Sequence, residues 1–265
     1  MKTIIAIAYD FDGTLTPKSM QEYTVLPKIG MKGREFWDKV ACEVTKTGGD
    51  KIITYMRMML EAAGVKKFSI TKAVLHSMGK DIKYFKGVET FFKNINQYVK
   101  KNFKGVEIRH YIISAGLKEI IEASKIAKNF HNIFACEYYY DEYGRATFPN
   151  VIVNDTIKTQ YIFRINKGKE SLKENINTHM DINKRPVPFS NIIYIGDGLT
   201  DVPCMTVVRN GRGTSIAVYD NAEGRKVSAE LLKAGRVDIT AKADYSKGGE
   251  IDVFVREVIK RIANK

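Results

Sequence analysis

The sequence predicts an α/β fold of three layers: a parallel sheet covered by helices on both faces, with an α-helical insertion after the first strand. Three observations predict it. The chain opens on an apolar run, Ile4-Ile5-Ala6-Ile7-Ala8-Tyr9, which leads straight into Asp10-Phe11-Asp12-Gly13-Thr14-Leu15-Thr16. From about Lys18 to about Phe85, apolar residues recur at helical spacing with few strand signals. From Gly87 onward, short apolar runs alternate with amphipathic stretches, as in parallel strands joined by crossover helices.

The elements follow in order. Lys2 and the apolar run after it could open a signal peptide, but Asp10 and Asp12 break the run and no cleavage site follows, so it reads as a strand. In a strand, the spacing of Asp10 and Asp12 puts both carboxylates on one face. In the insertion, Phe36, Val40 and Val44 mark a helix, with Trp37 and Ala41 beside them. Asp50 is placed to cap a second helix, striped by Ile52, Ile53, Met56, Met59, Leu60 and Ala63 and closed by Gly64. Ser69 or Thr71 opens a third, containing Val74, Leu75 and Met78.

A helix over 88–101 then leads to a strand over 108–113, followed by Ser114-Ala115-Gly116 and a helix over 117–130. A short strand over 133–136 precedes a β-hairpin over 137–153 that turns at Tyr143-Gly144. A helix over 159–165 leads into a polar segment, 166–191, compatible with helix in its first half and surface loop beyond. A strand over 192–195 ends in Gly196-Asp197-Gly198-Leu199-Thr200-Asp201, and a helix starts there with Pro203 in its first turn. Strands over 213–219 and 237–240 enclose a helix over 223–233, and an amphipathic helix over 249–263 closes the chain.

Composition narrows the function classes. No apolar run approaches the roughly 18 residues of a membrane span. Cys42, Cys136 and Cys204 are scattered and odd in number, which fits free thiols in a reducing, cytoplasmic setting. The net charge is +13, but the lysines are spread along the chain apart from looser groups at Lys66-Lys67 and Lys100-Lys101. That distribution favours a solvated surface over a nucleic-acid partner. His76, His110, His131 and His179 show no metal-ligand spacing and read as structural.

Four groups stand at or just after the end of a predicted strand or hairpin: Asp10 and Asp12, then Ser114, then Lys158, then Asp197 and Asp201. Each alone has a structural reading. Asp12-Gly13 is a turn, Ser114 an N-cap, Lys158 a solvated surface residue and Asp201 a helix cap. Together, carboxylates gathered at strand ends repel one another unless a cation joins them. Oxygen-only ligands suit Mg²⁺, and a lysine with a hydroxyl suits a phosphoryl group.

The motif Asp10-Phe11-Asp12-Gly13-Thr14-Leu15-Thr16, with Ser114, Lys158 and Asp197–Asp201 following in that order, resembles the haloacid dehalogenase-like superfamily in the pattern of its phosphatases. The resemblance spans nearly the whole chain. It implies a three-layer Rossmann-like core over 1–14 and 86–265, and a helical cap over 15–85. It implies Asp10 as the nucleophile that becomes an aspartyl-phosphate and Asp12 as general acid and base. Mg²⁺ would be held by Asp10, Asp197 and the backbone carbonyl of Asp12. Phosphate would be bound by Ser114, Ala115 and Lys158, with Asp201 in support. Lys167 and Lys169 compete with Lys158 for that role. The dehalogenases of that superfamily lack an acid two residues after the nucleophile, whereas its phosphatases and phosphomutases have one, so the resemblance with Asp12 present argues against carbon–halogen chemistry. Phosphoserine phosphatases use a Glu and an Arg of the cap on the substrate's amine and carboxylate, and Glu22 and Arg57 stand in roughly those places. The chain departs from those enzymes at Thr200, where they usually have Asn.

The expected activity is therefore Mg²⁺-dependent hydrolysis of a small phosphorylated metabolite. One rival is a phosphotransferase or phosphomutase, marked by acceptor-dependent product. Another is a non-catalytic protein that binds a phosphorylated ligand, which would not need Asp12. A nucleic-acid end-processing phosphatase would need a continuous basic groove and salt-sensitive binding.

Overall fold

The computed structural model describes residues 2–264. Its centre is a seven-stranded sheet: β1 Thr3–Tyr9, β2 Val106–Leu117, β3 Asn132–Tyr140, β4 Ala146–Val151, β5 Ile192–Gly196, β6 Thr214–Tyr219 and β7 Ile239–Lys242. The spatial order is β4-β3-β2-β1-β5-β6-β7. Every neighbouring pair is parallel except β3 and β4. β1 is central because its residues Ile5 to Tyr9 are fully buried, and an uninterrupted apolar run is what a strand covered on both faces requires. The chain leaves β1 toward β2, β3 and β4, then returns to β5 on the other side of β1. That reversal opens a crevice at the carboxyl ends of β1 and β5, where ligands bind in open α/β sheets.

Eleven α-helices accompany the sheet among the described residues: α1 Met20–Tyr23, α2 Val25–Lys28, α3 Gly33–Thr47, α4 Lys51–Val65, α5 Lys72–Ser77, α6 Val88–Asn102, α7 Lys118–Glu122, α8 Ile157–Lys167, α9 Val202–Asn210, α10 Ala222–Lys233 and α11 Glu250–Ala263. The first five form the inserted helical stretch between β1 and α6. Its two crossings lie side by side, since the Phe85 N–H donates to the Leu15 carbonyl at 3.0 Å. Asp50 caps α4, accepting from the N–H groups of Ile52 (2.8 Å) and Ile53 (3.0 Å). Three polar contacts tie α4 to the sheet side. Tyr55 Oη donates to the Ala115 carbonyl (2.7 Å), Tyr138 Oη to the Met56 carbonyl (3.0 Å) and Asn154 Nδ2 to Asp50 Oδ2 (2.8 Å).

Several boundaries differ from expectation. β2 runs on through Ser114, Ala115 and Gly116, with a bulge before Leu117, so these residues are strand and not the turn after it. The helix expected over 117–130 is the five-residue α7, ending where Gly79 packs on Ala123, and a 3-10 turn at Ala127–Asn129 leads on to β3. The strand over 133–136 and the first hairpin arm are one strand, β3, because no turn residue interrupts the run before Asp141. Gly64 lies inside the last turn of α4; the chain leaves the helix through Lys67, at φ 51°. β7 starts at Ile239, because Asp238 is engaged with Ser215 through backbone and side chain.

The segment after α8 forms no α-helix. Gly168 ends α8 in the left-handed conformation, and the Arg164 guanidinium gathers the following loop by donating to the carbonyls of Lys169 and Ser171. All three cysteines are free. His110 is buried between Tyr9 and Asn96, and burial pushes its pKa down to about 3. No helix among the described residues is long and apolar enough to cross a membrane.

Candidate active site

The end of β1 delivers Asp10, and the end of β5 delivers Asp197 beside it; the Asp10 N–H donates to the Ile195 carbonyl at 2.9 Å. Gly13, at φ 79°, turns the chain back under Asp197, and Thr14 Oγ1 donates to Asp197 Oδ1 at 3.1 Å. Asp12 is anchored by the Met20 N–H, which donates to its Oδ1 at 2.8 Å. Lys158, in the first turn of α8, is buried and reaches Asp10 Oδ1 at 3.1 Å and Asp201 Oδ1 at 2.7 Å. Oxygens of Asp10, Asp197 and Asp201 lie within 4.8 Å of one another.

Asp201 is already satisfied. Lys158 and Tyr194 Oη (2.7 Å) both donate to its Oδ1, and the N–H groups of Asp197 (3.1 Å) and Gly198 (3.4 Å) donate to its Oδ2. It thereby ties Lys158 to the turn after β5. Asp10 and Asp197 keep oxygens free, and the space beside Gly13 is bounded by the Asp197 carboxylate. This all-oxygen donor set fits a hard divalent cation.

The electrostatics agree. Burial, with repulsion from Asp201 and against the pull of Lys158, raises the pKa of Asp10 to about 7. Burial and the charges of Asp201 and Asp10 raise Asp197 to about 8. Burial and then Asp10 push Asp12 well above the ordinary carboxylate range. Burial alone would lower Lys158, but Asp10 and Asp201 outweigh it and hold the ammonium charged. Acids crowded until they retain protons are a site waiting for positive charge.

The expected residues divide clearly. Asp10, Asp12, Lys158, Asp197 and Asp201 converge. Lys167 and Lys169 do not, because their ammonium groups donate to the carbonyls of Ile176 (2.6 Å) and Asn175 (2.9 Å). Ser114 is fully buried and its Oγ accepts the Gly116 N–H at 2.9 Å, while the Ala115 carbonyl takes the Tyr55 hydroxyl. The segment still borders the site, since a Cβ on Gly116 would lie 3.3 Å from Asp12 Oδ2. Glu22 accepts from Trp37 Nε1 (3.3 Å). Arg57 stands on the solvent side of α4, paired with Glu43 (2.9 Å) and Glu61 (2.5 Å).

Sequence reasoning missed Tyr194, Tyr245 and Met20. Tyr245 Oη donates to the Thr14 carbonyl at 2.9 Å, bracing the loop after the first acid pair. The signal for Tyr194 was its place two residues before Gly196 in β5, on the same strand face. The buried Met20 lies over Gly116 and Leu117, and nothing in its helical context distinguishes it from core.

Comparison with known proteins gives the chain a family and its fold solved counterparts. The family model for haloacid dehalogenase-like hydrolases matches residues 7–206. An uncharacterised protein of Borreliella burgdorferi is 32% identical over 285 positions, covering 97% of each chain. Among solved structures, a substrate-bound phosphoserine phosphatase complex superposes with TM-score 0.61 at 15% identity, over 98% of this chain and 99% of that one. A phospho-aspartyl intermediate analogue of phosphoserine phosphatase gives 0.60 at 17% identity, with the same coverage. A hydrolase of the same family from Salmonella enterica serovar Typhi gives 0.58 at 20% identity, over 85% of this chain and 65% of that chain's length. At such identities the structural likeness is one of fold. The family match, over most of the chain and in the region that carries the acid cluster, makes this protein a member of the haloacid dehalogenase-like hydrolase family.

Proposed function

We propose that the protein is a Mg²⁺-dependent phosphomonoesterase of the cytoplasm, acting on a small phosphorylated metabolite through an aspartyl-phosphate on Asp10. The observation that carries this reading is the buried Lys158 ammonium between Asp10 and Asp201, with Asp12 anchored two residues beyond the nucleophile. Asp10 and Asp197, with the backbone carbonyl of Asp12, would hold the cation. When bound, it would favour the ionised form of both buried carboxylates and offset the charge of the substrate phosphate.

Asp10 Oδ would attack phosphorus and displace the alcohol oxygen. Lys158 lies against that carboxylate and supplies positive charge beside the transferring group. The raised proton affinity of Asp12 suits it to protonate the departing oxygen, and its ionised form then takes a proton from the water that cleaves the acyl-phosphate. The segment Ser114–Gly116 borders Asp12, so its backbone would receive phosphate oxygens. Residues 15–85 would act as the cap, since Tyr55 and Asp50 connect α4 to Ala115 and to the start of the Lys158 helix. A substrate amino-acid carboxylate finds no partner in Arg57, which is engaged by two glutamates, so the reading stops short of phosphoserine.

The test is phosphate release from a panel of small phosphomonoesters, with Mg²⁺ and with chelator. Metal-dependent release is expected, with none from Asp10→Asn and a loss of about 10²–10⁴-fold in Asp12→Asn. Undiminished turnover by Asp10→Asn would overturn the mechanism, and product that appears only with an added acceptor would make the protein a phosphotransferase.

A further inference from the structure

Tyr194 is fully buried in β5, and no step proposed above uses it. Its hydroxyl donates to Asp201 Oδ1 at 2.7 Å, the oxygen that Lys158 Nζ also reaches at 2.7 Å. Asp201 folds back across the end of β5, and Gly196 makes room for it: a Cβ there would lie 2.4 Å from Asp201 Oδ2. Tyr194 and Gly196 share a strand face, so the phenol rises beside the carboxylate that lies over the glycine.

We propose that Tyr194 is a positioning residue: its hydroxyl fixes Asp201 and shares Oδ1 with Lys158, keeping the ammonium directed at Asp10 and at the phosphoryl group Asp10 accepts. An ammonium has three N–H donors. One serves Asp201 Oδ1, one faces Asp10 Oδ1 at 3.1 Å, and the third is left for a phosphoryl oxygen. Without the phenol, a buried carboxylate oxygen would have the ammonium as its only side-chain donor. In surroundings of low dielectric that pair tightens, at the expense of the longer contact to Asp10.

Only the kinetic arm of the test rests on the phosphatase reading. Tyr194→Phe removes the hydroxyl and keeps the ring. Its crystal structure is expected to show Lys158 drawn to Asp201, with the Asp10 contact lengthened beyond hydrogen-bonding distance. Turnover is expected to fall about tenfold in kcat with KM nearly unchanged. The same substitution should cost nothing further in an Asp201→Asn background. A phenol that serves packing alone would lower Tm and leave kcat at the parent value. An unchanged Lys158–Asp10 contact, or a loss of equal size in both backgrounds, overturns the assignment. Should the parent protein release phosphate from no compound, the phosphatase reading fails, and the crystal structure alone decides whether Tyr194 sets the lysine.

Discussion

Gly13 carries two constraints at once: its backbone holds φ 79°, and a Cβ on it would lie 2.4 Å from Asp197 Oδ2. Any L side chain there pays for the left-handed conformation, about 1–2 kcal/mol, and also displaces the carboxylate that faces Asp10. Gly13→Ala is expected to lower Tm by several degrees and reduce turnover at least tenfold, measured by thermal melting and phosphate release; a variant with parental kinetics would show that Asp197 has slack. The converging acids were legible in the sequence because each follows a strand end, and an apolar run closed by Asp-x-Asp-Gly or Gly-Asp announces that end. Lys158 was legible only through the order of the groups, since three lysines lie within twelve residues and helical position alone does not rank them. Tyr245 carried no signal, and the one for Tyr194, its place two residues before Gly196 on a shared strand face, does not reveal the partner of its hydroxyl. A buried tyrosine in an apolar stretch looks like core, and only its hydroxyl's partner, distant in sequence or folded back, gives it a task. Arg57 shows the opposite failure: its place in α4 suggested a ligand, but i,i+4 spacing also offered it Glu61, and the nearer partner holds it.

Asp50 illustrates what an element boundary does here. One oxygen caps α4 and the other accepts from Asn154 Nδ2, whose own residue begins the turn into α8. Asp50→Ala is therefore expected to cost about 1–2 kcal/mol in urea unfolding, and Asp50→Asn, which still caps, clearly less. An unchanged urea midpoint in Asp50→Ala would remove the cap contact from the stability of the fold. Elements with local instructions lie where their patterns put them: α3 by its stripe, α4 by its Asp50 cap and its stripe apart from the exposed Ile53 and the end expected at Gly64, β1 and β5 by apolar runs with acids at their ends. Those set by long-range packing do not. β2 extends through Ser114 because Leu117 pairs with Cys136, a partner that no local pattern reveals. α7 stops early against Gly79, which lies in the preceding insertion. The polar segment after α8 carries helix-compatible residues, yet its carbonyls are claimed by Arg164 and Lys167.

At the scale of the whole molecule, the sheet holds its acids together at a cost that depends on pH. Asp10 and Asp197 hold protons up to about pH 7 and 8 in the cation-free protein, against about 3.9 for aspartate in an unfolded chain. Between those limits the folded state binds more protons than the unfolded one, so stability falls as pH rises from about 4 to about 8, and the raised Asp12 adds to the fall. A divalent cation competes with those protons, and what it contributes to stability grows over the same window. In chelator, Tm is expected to decline from pH 5.5 to pH 8.5. Mg²⁺ should raise it little at the acid end and clearly at the alkaline end. Asp197→Asn should flatten the decline in chelator and lose most of the Mg²⁺ response, because it removes a crowded charge and a cation ligand together. A Mg²⁺ shift of equal size at both pH values would mean that the cation binds elsewhere, perturbing neither carboxylate, and the cluster at the β1–β5 crevice would have to be explained by Lys158 alone.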